Sequence, residues 1–378
     1  LQKALEDKFD DNRLLTIGRV AHKTGNAMHE GRSNCQYRNR CIRGCPFGGY
    51  FSSNSSTLPA AERTGNMHLR ANSIAYEIVY DDQTKLATGV KVIDAETKEK
   101  FFFKASIIFN CASTIATASI LLQSKSKRFP NGLGNDSGEL GHNLMDHHYG
   151  VGASAEVDGF EDKYYKGRRP NGFYIPRFKN LGNEKTNTKN YIRGFGYQGG
   201  ASRTGWERAV SELSFGKELK NELLTPGPWR IGMTGFGECL PYHENKMTLD
   251  YDKLDQWGLP TITFDAEIKE NELKMREDMR DQAVAMLKAA GYKNVRGQLG
   301  KAHLGACIHE MGTARMGRDP KTSVLNKHNQ IHTVPNVYVT DGACMTSSAC
   351  QNPSLTYMAL TARAANHAAT KFKKNKKA

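Results

Sequence analysis

Two groups of residues have side chains whose types and spacing can do chemistry. The first runs from His309 to Asn352. It reads His309-Glu-Met-Gly-Thr-Ala-Arg-Met-Gly317, then a polar run, then Pro335-Asn-Val-Tyr-Val-Thr-Asp-Gly342, and then Gln351-Asn-Pro-Ser354. Residues 337–340 alternate β-branched and aromatic side chains, which predicts a short buried strand. Asp341-Gly342 ends it with turn chemistry. Asn352-Pro353 predicts a helix start, with Asn as the cap and Pro at the first helical position. The helix continues through Leu355, Met358, Ala359, Ala362 and Ala365. Its unpaired N–H groups and positive end then face whatever lies beyond the strand. Such an end holds an anion, or a ring that becomes anionic when reduced.

The second group is Cys35, Cys41 and Cys45, the last followed by Pro46; the chain has eight cysteines. Three thiols cannot all pair among themselves. Zinc usually takes a fourth ligand and often a C-x-x-C knuckle, and neither is present. Short, uneven spacing with a proline after the last cysteine is the pattern of iron–sulfur ligation. One disulfide plus a free thiol is the alternative that the residues leave open.

The His309–Asn352 stretch resembles the C-terminal signature of the glucose-methanol-choline (GMC) oxidoreductases, a family of FAD enzymes. Their pattern is H-x-x-G-T-x-x-M-G, a strand ending Asp-Gly or Asp-Ala, and a His or Asn before the last helix. The resemblance implies His309 as catalytic base and Asn352 as hydrogen-bond partner of the substrate oxygen. It implies Asp341, Gly342, Asn352 and Pro353 against the flavin, Ile74 at the position whose backbone meets the adenine, and Ser113 at an FAD-touching corner where the family usually has Gly. Cys35, Cys41 and Cys45 match a subgroup, the bacterial sugar dehydrogenases whose catalytic subunit carries a three-iron [3Fe-4S] cluster. A cluster of that kind needs three thiolates. It implies electron transfer from the flavin to an external acceptor, with a small partner subunit, a cytochrome and a periplasmic or membrane-associated location; a cytoplasmic one is left open. A sugar or sugar derivative is the expected substrate, a simpler alcohol with structural cysteines the alternative.

The elements that must position these groups can be read along the chain. The composition, with 378 residues, 24% charged and 38% hydrophobic, is that of an ordinary globular enzyme with room for two cores. The net charge of +14 lies partly in the Lys-rich tail at 371–377 and otherwise along the chain. No aromatic-interleaved basic block points to nucleic acid. No secretory leader stands at Leu1. Residues 105–123 lack charge but are too polar for a bilayer span, and read as a buried strand followed by a helix.

A strand is expected over 14–20, a strand pair over 71–80 and 89–94 around Asp81-Asp82, a third strand over 101–110, and a helix after Cys111 through Leu122. The family's opening unit, a strand, glycine-rich turn and helix for the ADP half of FAD, is not found, so the chain is expected to lack it and then to bind no FAD in one reading. Gly194, Gly196 and Gly199 spell G-x-G-x-x-G without the strand–turn–helix context, and read as glycines in a sheet. Gly141-His-Asn-Leu-Met-Asp-His147 matches the family's G-x-N-L-x-D-H. A metal site on Asp146, His147 and His148 is one reading; a domain-joining loop with a His–Asp hydrogen bond is preferred. A helix over 267–290, stopped by Gly291, shows an apolar face at Leu273, Met279, Ala283, Met286, Leu287 and Ala290. The expected fold is mixed α/β: an incomplete Rossmann-like FAD domain of GMC type from residues 1–148 and 299–378, and an antiparallel-sheet substrate domain over 149–298.

Overall fold

The computed structural model describes the chain except residues 12, 19–21, 24–30, 39–40, 164–171, 183, 185, 204–214, 225–226 and 376–378. Three expectations fall partly outside the described residues: the end of the strand at 19–20, the loop through 204–206, and the last lysines of the tail. In chain order the elements are α1 (Gln2–Lys8), β1 (Thr16–Ile17), α2 (Thr57–Glu62), β2 (Ser73–Asp81), β3 (Leu86–Asp94), β4 (Lys100–Lys104), β5 (Ile108–Asn110) and α3 (Thr114–Gln123). Then come β6 (Val151–Val157), β7 (Phe173–Ile175), β8 (Phe195–Arg203), α4 (Gly216–Leu224), β9 (Trp229–Gly237), β10 (Lys246–Leu254) and β11 (Pro260–Asp265). The chain ends with α5 (Glu270–Ala289), β12 (Lys293–Leu299), β13 (Gln330–Ile331), β14 (Val334–Val339) and α6 (Ser354–Asn375). Among the described residues, no helix is long and apolar enough to cross a membrane.

The contacts divide the chain into two compact units. The first comprises Leu1–Leu69, Gly150–Phe236 and Lys274–Lys301. Its sheet has the order β1-β7-β8-β9-β6-β12. Apolar residues of this sheet, among them Val151, Ala153, Ala155, Phe195, Tyr197, Ile231 and Met233, share one core with Met275, Met279, Ala283, Met286 and Leu287 of α5. That spacing is a single helical stripe. Leu273, expected on the stripe, is 46% exposed, and Met275 is buried instead. Gly291 closes the helix with φ +76, the left-handed end that glycine adopts without strain. Of the G-x-G-x-x-G glycines, Gly196 and Gly199 lie in this sheet and Gly194 stands just before β8; a Cβ on Gly199 would meet the Gly232 carbonyl oxygen at 2.6 Å. Leu1–Leu69 was expected with the flavin unit. It belongs here because Leu5 is buried in the same core and β1 pairs with β7.

The second unit comprises Arg70–Tyr149, Gly237–Leu273 and Ala302–Ala378. The 237–273 segment was expected in the substrate domain. It lies here because Met247 N–H donates to the Gly141 carbonyl at 2.8 Å and its side chain joins a core of Leu121, Leu133, Ile331 and Val339. The strands β2-β3-β4 form an antiparallel meander, as the Asp81-Asp82 turn predicts. The run expected as one strand over 101–110 is two. β4 completes the meander, and the chain then breaks at 105–107 and enters another sheet as β5. There β5 pairs in parallel with β14, with Val337 opposite Ile108, Tyr338 opposite Phe109 and Val339 opposite Asn110. Val337 and Val339 are fully buried, each worth about 1.5–3 kcal/mol of transfer free energy. On α6 the buried positions are Ala364 and Ala368, packed with Tyr338, whereas Leu355 is 76% exposed.

Candidate active site

The parallel strands β5 and β14 end level, so the corners at 111–113 and 340–342 stand side by side. The carboxylate of Asp341 joins them. One oxygen accepts from Ser113 N–H (3.0 Å) and the Thr117 hydroxyl (2.5 Å), the other from Ala343 N–H (2.9 Å). Burial pushes the Asp341 pKa up, against the pull of these three donors. Residues Gly342–Cys344 form a 3₁₀ turn capped by this carboxylate. A Cβ on Gly342 would run into the Glu310 carbonyl oxygen and would stand 2.9 Å from the Tyr357 hydroxyl, so only glycine fits.

Ser113 stands where the family usually has glycine, and it adopts the glycine backbone, with φ 75 and ψ 156. That region is nearly closed to a residue with a Cβ and costs roughly 1–3 kcal/mol. Ser113→Gly is therefore expected to raise stability by about 1 kcal/mol, net of the entropy glycine loses on folding. An unchanged or lower urea midpoint would contradict the strain assigned here.

Residues 310–316 run between two other segments. Met311 exchanges both backbone hydrogen bonds with Met145 at 2.9 Å. On the opposite edge Gly312, Ala314 and Met316 donate to the carbonyls of Gly342, Ala343 and Cys344 at 2.9–3.1 Å. The Thr114 hydroxyl donates to the Glu310 carbonyl at 2.5 Å. His309 thus stands at the entry of a segment clamped against the carboxyl ends of β5 and β14.

The approach to His309 is built on Asp146, which is fully buried. Its carboxylate accepts four backbone N–H groups: His147 (2.7 Å) and His309 (3.1 Å) on one oxygen, Gly305 (2.9 Å) and Cys307 (3.1 Å) on the other. The backbone reaches it by a left-handed turn at Ile308, φ 58, a strained conformation for a β-branched residue. The His–Asp bond expected at this loop exists, but its donor is the His147 backbone, not the ring. The ring of His147, fully buried, has Nδ1 2.8 Å from Nδ1 of His309 and Nε2 2.8 Å from the Ser348 carbonyl and 3.1 Å from that of Ala349. His309 is half-buried, and burial pulls its pKa down, with Asp146 and Glu310 pulling the other way. From the sequence His147 enters only through the metal reading that is set aside; its ring contact with His309 has no signal there beyond the match to G-x-N-L-x-D-H.

Asn352 is exposed and follows Ala349 by three residues. The carbonyl of Pro353 accepts from Tyr357 N–H at 3.0 Å, and Asn352 and Pro353 immediately precede α6. Ile74 lies half-buried in β2, opposite Ile93.

Cys35, Cys41 and Cys45 lie in the first unit and line one hollow of about 570 Å³ with Tyr37, Arg38 and Phe47. All eight cysteines are free thiols, so the disulfide alternative is not formed. Burial, then the charges of Cys35 and Cys45, raise the Cys41 pKa. At Cys45 burial also opposes ionisation, but N–H groups of Tyr50, Phe47 and Gly49 together with Arg38 outweigh it and hold the thiol below its ordinary value. Tyr37 N–H donates to the Cys35 sulfur at 3.4 Å. A Cβ on Gly49 would meet the Cys35 backbone at 3.1 Å.

Two halves of one family pattern match this chain: the N-terminal part of the GMC oxidoreductases over residues 12–149 and the C-terminal part over 241–361. The chain belongs to the GMC oxidoreductase family. It is 32% identical over 300 residues to the 2-methyl-1,2-propanediol dehydrogenase of Mycolicibacterium austroafricanum, covering 76% of this chain and 52% of that protein. It is 26% identical over 338 residues to the fructose dehydrogenase large subunit of Gluconobacter japonicus, covering 89% and 60%. The chain thus spans between half and three fifths of the length of these relatives. Among solved structures, the pyridoxine 4-oxidase of Mesorbium loti superposes with TM-score 0.55 at 13% identity, covering 85% of this chain and 62% of that one. That likeness is one of fold, and it agrees with the mixed α/β class expected from the sequence.

Proposed function

We propose that this chain is the catalytic portion of an FAD-dependent enzyme that oxidises a CH–OH group, with His309 as the base. The observation that carries the reading is the clamping of the His309 segment against the carboxyl ends of the parallel pair β5 and β14. Open α/β sheets bind their ligands at such strand ends. The corner suits a closely approaching cofactor: Ser113 adopts a glycine backbone, and Gly342 has no room for a side chain. Ser113, Asp341, Gly342 and Pro353 would hold the flavin there, with Ile74 toward the adenine.

When bound, the flavin supplies the acceptor for a hydride from the substrate carbon. His309 takes the hydroxyl proton and must be neutral to do so, which its burial favours. The Asn352 carboxamide donates to the substrate oxygen as negative charge builds on it. The N-terminus of α6 adds its positive end beside that charge.

Cys35, Cys41 and Cys45 fit a [3Fe-4S] cluster as three free thiols around one hollow, with backbone N–H groups directed at the sulfurs of Cys35 and Cys45. Hydrogen bonds of this kind set the potential of such clusters. Anaerobically purified protein is expected to contain iron and acid-labile sulfide, and Cys45→Ser to lose both while keeping its secondary structure. Protein free of iron with intact thiols would remove the cluster from the account.

A sugar or sugar derivative is the substrate we propose, from the cysteine pattern and the likeness to the fructose dehydrogenase subunit. The relative named for 2-methyl-1,2-propanediol has the higher identity and favours a short diol as a second reading. Flavin bleaching under anaerobic mixing with fructose, gluconate and 2-methyl-1,2-propanediol separates them: bleaching by the diol alone discards the sugar reading.

A further inference from the structure

The hydrogen bonds of His147 fix where the proton of His309 must sit. Nε2 of His147 lies 2.8 Å from the Ser348 carbonyl oxygen and 3.1 Å from that of Ala349. A carbonyl accepts and cannot donate, so this nitrogen carries hydrogen. A neutral imidazole has one N–H. Nδ1 of His147 is then a lone pair, and the 2.8 Å contact to His309 requires Nδ1 of His309 to be the donor. His309 has spent its single hydrogen on that bond, which leaves its Nε2 as the basic nitrogen.

We infer that His147 is a positioning residue that selects the Nδ1–H tautomer of His309 and thereby makes Nε2 the atom that receives the substrate's proton. This rests on the reading of His309 as the base. The arrangement survives the reaction: when Nε2 takes the hydroxyl proton, Nδ1–H still donates to His147, now from a cation, and charge-assisted bonds are stronger. The reverse arrangement is not available to a neutral His147, because its Nε2 would then put a lone pair against two carbonyl lone pairs.

The surroundings keep the pair in this state. His147 is fully buried, and burial is the largest influence on its pKa, lowering it; the Ser348 carbonyl opposes this, His309 adds to it, and Asp146 and Ala349 oppose it. The Asp146 carboxylate already accepts four backbone N–H groups. Glu310 and Asp146 favour the imidazolium of His309 once it forms. The Cys307 sulfur, 4.0 Å from Nδ1 of His309, is a thiol whose pKa burial, Asp146 and Glu310 push up to about 12. It therefore competes only weakly for the Nδ1 hydrogen. If His147 took a second proton, its Nδ1 would become a donor, His309 would have to accept there, and Nε2 of His309 would carry the hydrogen and stop being a base.

The test uses the flavin-loaded holoenzyme labelled with ¹⁵N in its histidine rings, assigned by the loss of signals in His309→Gln and His147→Gln. At pH 7.5 the rings should show Nδ1–H for His309 and Nε2–H for His147. In His147→Phe, which has no acceptor, His309 should shift toward Nε2–H, and kcat should fall roughly 10²-fold with KM little changed. His147→Gln can donate to the carbonyls and accept from His309, and should recover most of that loss. Nε2–H on His309 in the unsubstituted protein would overturn the inference even if His147→Phe failed to fold. So would a folded His147→Phe with undiminished kcat. A separate failure, His309→Gln with normal flavin reduction, would remove the base assignment but leave the tautomer measurement standing.

Discussion

In the flavin-loaded protein, His309→Gln is expected to slow flavin reduction by substrate about 10²–10⁴-fold, the range general-base catalysis supplies. Flavin content and substrate affinity should hardly move, because the loss falls on proton removal. The pH dependence has a definite sign. Burial holds the His309 pKa below the ordinary histidine value of about 6.5, against the pull of Asp146 and Glu310. The neutral, active form therefore persists to lower pH than a solvated histidine would allow. The plot of kcat/KM should be flat at and above that value and fall only beneath it, by up to about tenfold per pH unit. Stability has the same sign: folding disfavours the imidazolium, so this contribution is lost as pH drops through the unfolded value and below it. A variant with normal rates of flavin reduction would end the base assignment.

Asp146→Asn is expected to have the largest effect on the fold. The carboxylate accepts four backbone N–H groups in a fully buried place. A carboxamide keeps one accepting oxygen and turns an NH₂ toward the other two donors. Hydrogen bonds to a charged group contribute about 1.5–3 kcal/mol each, and stranding buried donors adds to the loss. A cost of at least about 3 kcal/mol follows, read as a lower urea midpoint. The loop at Ile308 would also be released from its left-handed turn, so kcat should fall in whatever fraction stays folded. A midpoint within error of the unsubstituted protein would show that the four bonds are not what holds this loop.

Much of the site was legible from strings that combine chemistry with turn signals. The strand Val334–Val339 and the turn at Asp341-Gly342 form where the sequence predicts them, because a strand followed by turn residues admits few conformations. Ser113 kept the glycine backbone although its side chain argued otherwise: the corner is fixed by Asp341 and Thr117, and the strain is absorbed locally. Three things were hidden. The break at 105–107 leaves no proline or glycine as a mark, so 101–110 read as one strand. The membership of Leu1–Leu69 and 237–273 is set by long-range contacts that periodicity does not encode. The ring partner of His147 lies 162 residues away, and nothing local distinguishes a histidine that sets a tautomer from one that fills a loop.

The short break between β4 and β5 has a consequence for how this unit opens. Three residues join two sheets, and Asn336 spans them as well: its side chain exchanges hydrogen bonds with Ala87 of β3 at 2.7 and 3.0 Å and donates to Ser106 at 3.1 Å. The meander and the parallel pair should therefore exchange their amide hydrogens as one cooperative block, with a shared opening free energy. Fluctuations that loosen the hairpin would reach the strand ends beside His309 in the same event.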